Sequence, residues 1–311
     1  MEACDEAYNS VADCIVTIGG GAVQDAGKFI RLWMSAAKLG DKATIKGIQE
    51  ASSYGSDLEL KPQIAIPNSF ALAEATHVAG LTTTTKTKFG VAHPSIMPTL
   101  IVYDAALSEG LPDWVRFGTA FRGIEHACGA ITHPNANDDI RTQALEALSI
   151  LNENMKLLVK NPECRTTQNN IYVGGFIAVR ALNTGCYPAL GHLIENHYSA
   201  RFDVHQGACS SIMCARMMHY HKKESKEYQQ SISAAFGDAS ISAPRFVRDL
   251  AAILPGVLKH HCDAGVTDDM LKDFSKWEFE NHLARINQLS PKEFGTAENI
   301  YTMLSEPLEN L

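Results

Sequence analysis

The chain has 311 residues, 45% of them hydrophobic, with 27 basic against 35 acidic side chains and a formal charge of -8. That length builds one large core or two moderate ones and excludes a small stapled scaffold, and the acidic balance without a long basic run excludes a nucleic-acid groove. No stretch approaches the roughly 20 apolar residues of a membrane span, and eight scattered cysteines without a CxxC pair read as reduced thiols, so a cytoplasmic protein without membrane or nucleic-acid partners is expected.

In chain order, the apolar runs Cys14 to Ile18, Gln63 to Pro67 and Leu100 to Tyr103 read as buried parallel strands, with Ala22 to Leu39 helical between the first two. From Pro112 the period changes. In Asp138 to Lys160, Leu145, Leu148, Leu151, Met155 and Leu158 recur at helical spacing. Helix breaks fall at Asn161-Pro162, Tyr187-Pro188, Gly237, Pro255-Gly256 and Pro291. The expected organisation is an α/β part with an incomplete Rossmann-like parallel sheet over residues 1–107, followed by an all-α domain over 108–311 that carries a histidine cluster.

Cys14 to Ile18 runs straight into Gly19-Gly20-Gly21, so three glycines stand where a strand meets a helix N-terminus. Such a turn offers backbone N–H groups to a phosphate, although it also serves as a plain tight turn. The segment Gly19-Gly20-Gly21-Ala22-Val23-Gln24-Asp25-Ala26-Gly27-Lys28 resembles the GGGSxxDxAK segment of the iron-containing alcohol dehydrogenase superfamily, with Ala22 for the usual serine and Gly27 for the usual alanine. Pro67 to Thr76 resembles the family's PTTxGTGSExT loop, one residue shorter as in the maleylacetate reductase-like branch. Lys88 to Val91 and Pro98 to Asp104 resemble the segments that follow in that branch; Asp104 itself reads as a capping carboxylate. The resemblance implies the dehydroquinate synthase-like fold of that superfamily and NAD or NADP as cofactor, held by Gly19, Gly20, Gly21, Asp25, Asn68 and Ser69.

Twelve histidines are present, and His126, His192 and His205 fall in family segments. The resemblance implies that they hold Fe(II) or Zn(II), for which neutral imidazole is a good ligand. His192 and His205 would lie roughly 220° out of phase on one continuous helix, so shared ligation requires a break, which Arg201 to Val204 can supply. The family spacing between these two ligands is 14 residues, and here it is one shorter. The family's metal-binding aspartate, four residues before His126, is replaced by Arg122, whose guanidinium would oppose a dication. Glu125, turned about 100° from His126, restores a ligand only if the helix distorts. His197, His219, His221, His260 and His261 read as surface or packing residues.

These readings combine into an NAD(P)-dependent reductase of a small carbonyl, enone or oxo-acid substrate, in a biosynthetic or aromatic-degradation route. Arg122, His126, His192 and His205 form its catalytic group, with Arg122 partly replacing a Lewis acid electrostatically. The resemblance also implies ~80–90 further residues before the glycine turn, where 18 stand here. A sheet edge left open by their loss could be covered in a homodimer, and the competing reading is a redox-inactive homologue acting as an isomerase or binding subunit.

Overall fold

The computed structural model describes residues 2–10, 12–38, 59–82 and 88–311. It divides into two compact units, Met1–Glu109 and Gly110–Leu311.

In the first unit, a short helix α1 (Glu2–Asn9) precedes strand β1 (Ile15–Gly19), helix α2 (Gly21–Lys38) and strand β2 (Gln63–Pro67). Strands β3 (Val78–Thr82) and β4 (Lys88–Ala92) form an antiparallel hairpin, and the short β5 (Leu100–Ile101) follows. The sheet is parallel, in the order β1-β2-β5, with Ile15 opposite Gln63 and Ile64 opposite Leu100. Leu39, the expected end of α2, lies outside the described residues.

Helix α2 covers one face of this sheet through polar as well as apolar contacts. Thr17 donates to Gln24 Oε1 at 2.6 Å, and Gln63 Nε2 donates to Thr17 Oγ1 and to the Gln24 carbonyl. This buried knot explains Gly27, because a Cβ there would stand 2.4 Å from Thr17 Cγ2 and 2.7 Å from Gln63 Nε2. Beyond it, Phe29, Leu32, Trp33 and Ala36 of α2 pack with Ala79 and Val91 of the hairpin and with Ile96. The opposite face differs from the expected doubly buried strands: Val16, Ile18, Leu100 and Val102 are 55, 62, 52 and 38% exposed. A parallel sheet needs cover on both faces, and among the described residues these aliphatic side chains have little.

The second unit is helical: α3 (Asp113–Thr132), α4 (Asp138–Lys160), α5 (Arg165–Asn183), α6 (Leu190–Phe202), α7 (Gln206–Tyr220), α8 (Lys226–Ala235), α9 (Ala243–Ile253), α10 (Asp268–Leu289) and α11 (Ala297–Ser305). Helix α4 starts where the Asn137 side chain accepts from Ile140 N and stops before Asn161-Pro162, because proline lacks the N–H that the next turn requires. Ile194 and Tyr198 of α6, Ile212 and Met213 of α7, Phe274 and Ile286 of α10 and Ile300 and Met303 of α11 share one core. No helix among the described residues is long and apolar enough to cross a membrane, and all eight cysteines are free.

Candidate functional site

The glycine turn is built as a cradle. Gly19 has φ +153°, and a Cβ there would meet Val23 Cγ2 at 2.8 Å. Gly20 backs onto Ser69 Oγ and Asn68 Oδ1, Gly21 onto Ala71, and the Asn68 N–H donates to the Gly19 carbonyl at 3.2 Å. The turn and the 67–76 loop therefore form one surface at the N-terminus of α2, where the first N–H groups have no intrahelical acceptor. These residues fit a dinucleotide pyrophosphate.

Asp25 is committed otherwise. Its Oδ2 accepts from Gly80 N at 2.9 Å and its Oδ1 lies 3.4 Å from Lys28 Nζ. Lys28 is fully buried and donates to the Ala73 and Val78 carbonyls and to Thr76 Oγ1. Burial lowers the Lys28 pKa while Asp25 pulls it up. The pair thus pins the 73–80 segment to α2. Asp104 caps a turn by accepting from Ala106 N at 2.9 Å.

In the helical unit, α3 and α7 touch backbone to backbone. A Cβ on Gly207 would stand 2.7 Å from the carbonyl of Gly118. One turn past Gly118, Arg122 then meets the start of α7, and its Nη1 donates to Gln206 Oε1 at 3.0 Å. Gln206 Nε2 in turn donates to Asn196 Oδ1 at 2.5 Å. Arg122 Nε is buried with no hydrogen-bond acceptor, a state that costs roughly 1–3 kcal/mol unless something supplies one.

Beside this chain of contacts, the structure brings together Glu125, His126 and His192, all buried, with ligand-capable atoms within 4.8 Å of one another. Glu125 Oε2 lies 2.8 Å from His126 Nδ1, the two imidazoles are 5.1 Å apart, and the Tyr187 hydroxyl contacts His192 Nε2 at 2.8 Å. Glu125 thus reaches His126 by side-chain flexure within a regular helix, not by the expected helix distortion. Its placement requires Gly191, whose Cβ would meet Oε1 at 2.4 Å.

His205 does not join this group. It is exposed, caps α7 by accepting from Gly207 N at 3.2 Å, and packs edge-on against Trp114 at 5.2 Å. With Trp114, Gly118, Val257 and Leu258 it lines a pocket of roughly 310 Å³. The break after α6 lies at Asp203, in the left-handed conformation with φ 56°.

Sequence reasoning missed Gln206 and Tyr187. The signal for the first was available: Gln206, not His205, stands 14 residues after His192, at the spacing the resemblance implies. The ligand positions that the resemblance implies then fall on Arg122, His126, His192 and Gln206, of which Arg122 and Gln206, a cation and an amide, are bonded to one another. These residues do not fit the family's ion. The Glu125, His126 and His192 donors remain, yet the Tyr187 hydroxyl already engages His192 and the guanidinium stands one turn from His126. Glu125 Oε2 and His126 Nδ1 are buried and make no hydrogen bond, so with the Tyr187–His192 pair they form a buried polar array.

Residues 1–105 match the family model "Iron-containing alcohol dehydrogenase", and residues 119–304 match "Fe-containing alcohol dehydrogenase family, C-terminal". The chain belongs to the iron-containing alcohol dehydrogenase family. It is 26% identical over 243 residues to maleylacetate reductase 1 of Rhodococcus opacus, an alignment covering 78% of this chain and 60% of that protein. With 1,3-propanediol dehydrogenase of Citrobacter freundii the identity is 24% over 267 residues, covering 82% and 67%. The maleylacetate reductase structure from Agrobacterium tumefaciens superposes with a TM-score of 0.78 at 21% identity, over 97% of this chain and 76% of that one. The chain therefore spans about 60% of the length of the Rhodococcus relative.

Proposed function

We infer that this chain is an NAD(P)-dependent reductase of a small carbonyl, enone or oxo-acid substrate, and that Arg122 grips the substrate where other family members hold a metal. The observation that carries this reading is Arg122 itself, with one nitrogen anchored on Gln206 and a buried Nε–H lacking an acceptor. A carboxylate or carbonyl oxygen supplies that acceptor. A fixed guanidinium stabilises negative charge developing on oxygen and is itself oriented before substrate arrives.

The nicotinamide, when bound, supplies the hydride, and the glycine turn with Asn68 and Ser69 supplies the contacts for its pyrophosphate. The proton needed at the reduced oxygen or carbon comes from the array on the helical unit. Tyr187 and His192 share a proton across 2.8 Å, with the His126 ring 5.1 Å from that of His192. His205 and Trp114 line a pocket that includes Gly118, one helical turn before Arg122. The maleylacetate reductases among the relatives favour a carboxylate-bearing substrate.

The test is a titration of the purified chain with NADH and NADPH, read by cofactor fluorescence, followed by assay on paired oxo-acid and neutral carbonyl substrates. Binding of one cofactor and faster reduction of the acids support the reading; binding of neither overturns it.

A further inference from the structure

A second side-chain cluster in the helical unit takes no part in the site above. His197 lies on α6, and Glu278 and His282 lie one turn apart on α10, a spacing that places both on one face of that helix. Their ligand-capable atoms all lie within 4.8 Å of one another. His197 Nδ1 stands 2.8 Å from Glu278 Oε1, and the two imidazole rings are 4.2 Å apart and tilted by 32°.

The ion pair between His197 and Glu278 does not satisfy the cluster. Glu278 is fully buried and its Oε2 has no hydrogen-bond partner; His282 Nε2 is likewise buried without one. Native interiors rarely leave a carboxylate oxygen and a ring nitrogen in this state side by side. Protonating His197 would answer Oε1 alone. A single cation accepts lone pairs from all three residues.

We propose that His197, Glu278 and His282 bind a first-row divalent transition metal ion, with zinc the natural occupant, and that this ion braces α6 against α10. The donor set is two imidazoles and one carboxylate, which suits zinc and its neighbours and not magnesium or calcium, whose sites are built from oxygen. Tetrahedral bonds of about 2.1 Å place donors about 3.4 Å apart, a separation bracketed by the 2.8 Å contact and the 4.8 Å limit. Trp277 meets the His197 ring edge-on at 5.5 Å and the His282 ring at 4.7 Å, giving the site an apolar wall. Among charged groups facing it, Arg201 lies 5.6 Å over the Trp277 ring and is exposed, so solvent screens its opposition. The His197 side chain is 18% exposed, which leaves an entry path and room for water as a fourth ligand.

The experiment is a zinc titration of the whole chain against a chromophoric chelator, with a thermal melt at each point. The wild-type chain is expected to bind one zinc through this cluster and to melt at a higher temperature when loaded. Glu278→Gln and His282→Ala should each weaken that binding by more than the roughly 10–100-fold lost with an outer-shell partner. His126→Ala, in the other histidine group, should leave it intact. Should Glu278→Gln fail to fold, His197→Gln alters the more exposed donor and gives the same readout. Absence of zinc binding, zinc lost only in His126→Ala, or displacement by a thousandfold excess of magnesium overturns the proposal.

Discussion

Arg122 Nη1 and Gln206 Oε1 stand 3.0 Å apart, joining the two positions at which the family resemblance implies an aspartate and a histidine for a metal. Two ligands have been exchanged for a donor and an acceptor that satisfy one another. A cation and an amide thus stand where the resemblance implies two metal ligands.

Restoring the ligands should restore the ion. Arg122→Asp combined with Gln206→His, made in a His282→Ala background that removes the cluster on α10, is expected to bind one equivalent of Fe(II) or Zn(II) through His126 and His192. Arg122→Asp alone should bind more weakly, because three ligands replace four. Metal content after dialysis checks this, and no gain in the double exchange would contradict the assigned positions.

The α3–α7 contact should tolerate no side chain at Gly207. A Cβ there meets the Gly118 carbonyl at 2.7 Å, and backbone cannot swing aside as a side-chain end can. Gly207→Ala is expected to cost about 1–3 kcal/mol in urea unfolding and to weaken the Arg122 to Gln206 contact. A stability equal to the wild type would show that the helices are farther apart.

Burial pushes Glu74 up to about 7, with the Tyr103 hydroxyl and the Lys28 charge pulling it back. A carboxyl raised above its unfolded value of about 4.5 favours folding while protonated, so its contribution is complete below pH 4.5 and is lost as pH rises through 7. The loss amounts to at most roughly 3 kcal/mol. Glu74→Gln should flatten this part of the profile of unfolding free energy against pH between 4.5 and 7; an unchanged slope would mean that Glu74 is ionised throughout.

The elements most legible in the sequence were those with local punctuation. Asn137 and Asn161-Pro162 bound α4 at Asp138 and Lys160, and the glycine turn marks the junction of β1 and α2. The β3–β4 hairpin was not foreseen, because its strands lack alternation between apolar and polar residues. The role of Asp25 depends on Gly80, 55 residues away, which no local pattern reveals. His205 drew attention as a histidine, while the residue in the metal register was its neighbour Gln206. Glu125 escaped for a different reason: a backbone phase of about 100° does not limit a carboxylate on a flexible stem. His197 read as a packing residue, since its partners lie 81 and 85 positions further along on α10.

The proposed role of Arg122, in place of a metal, is to hold the substrate's negative oxygen. Its most direct test is NAD(P)H-dependent reduction of matched oxo-acid and neutral carbonyl substrates by the wild type and Arg122→Gln, each before and after exhaustive chelation, at a temperature well below the melt of the metal-free chain. Chelation is expected to leave wild-type kcat/KM unchanged, and Arg122→Gln to lower it for the oxo-acid by roughly 10²–10³-fold, with a much smaller effect on the neutral substrate. Activity abolished by chelation and restored by iron or zinc, with Arg122→Gln equal to the wild type, would contradict it.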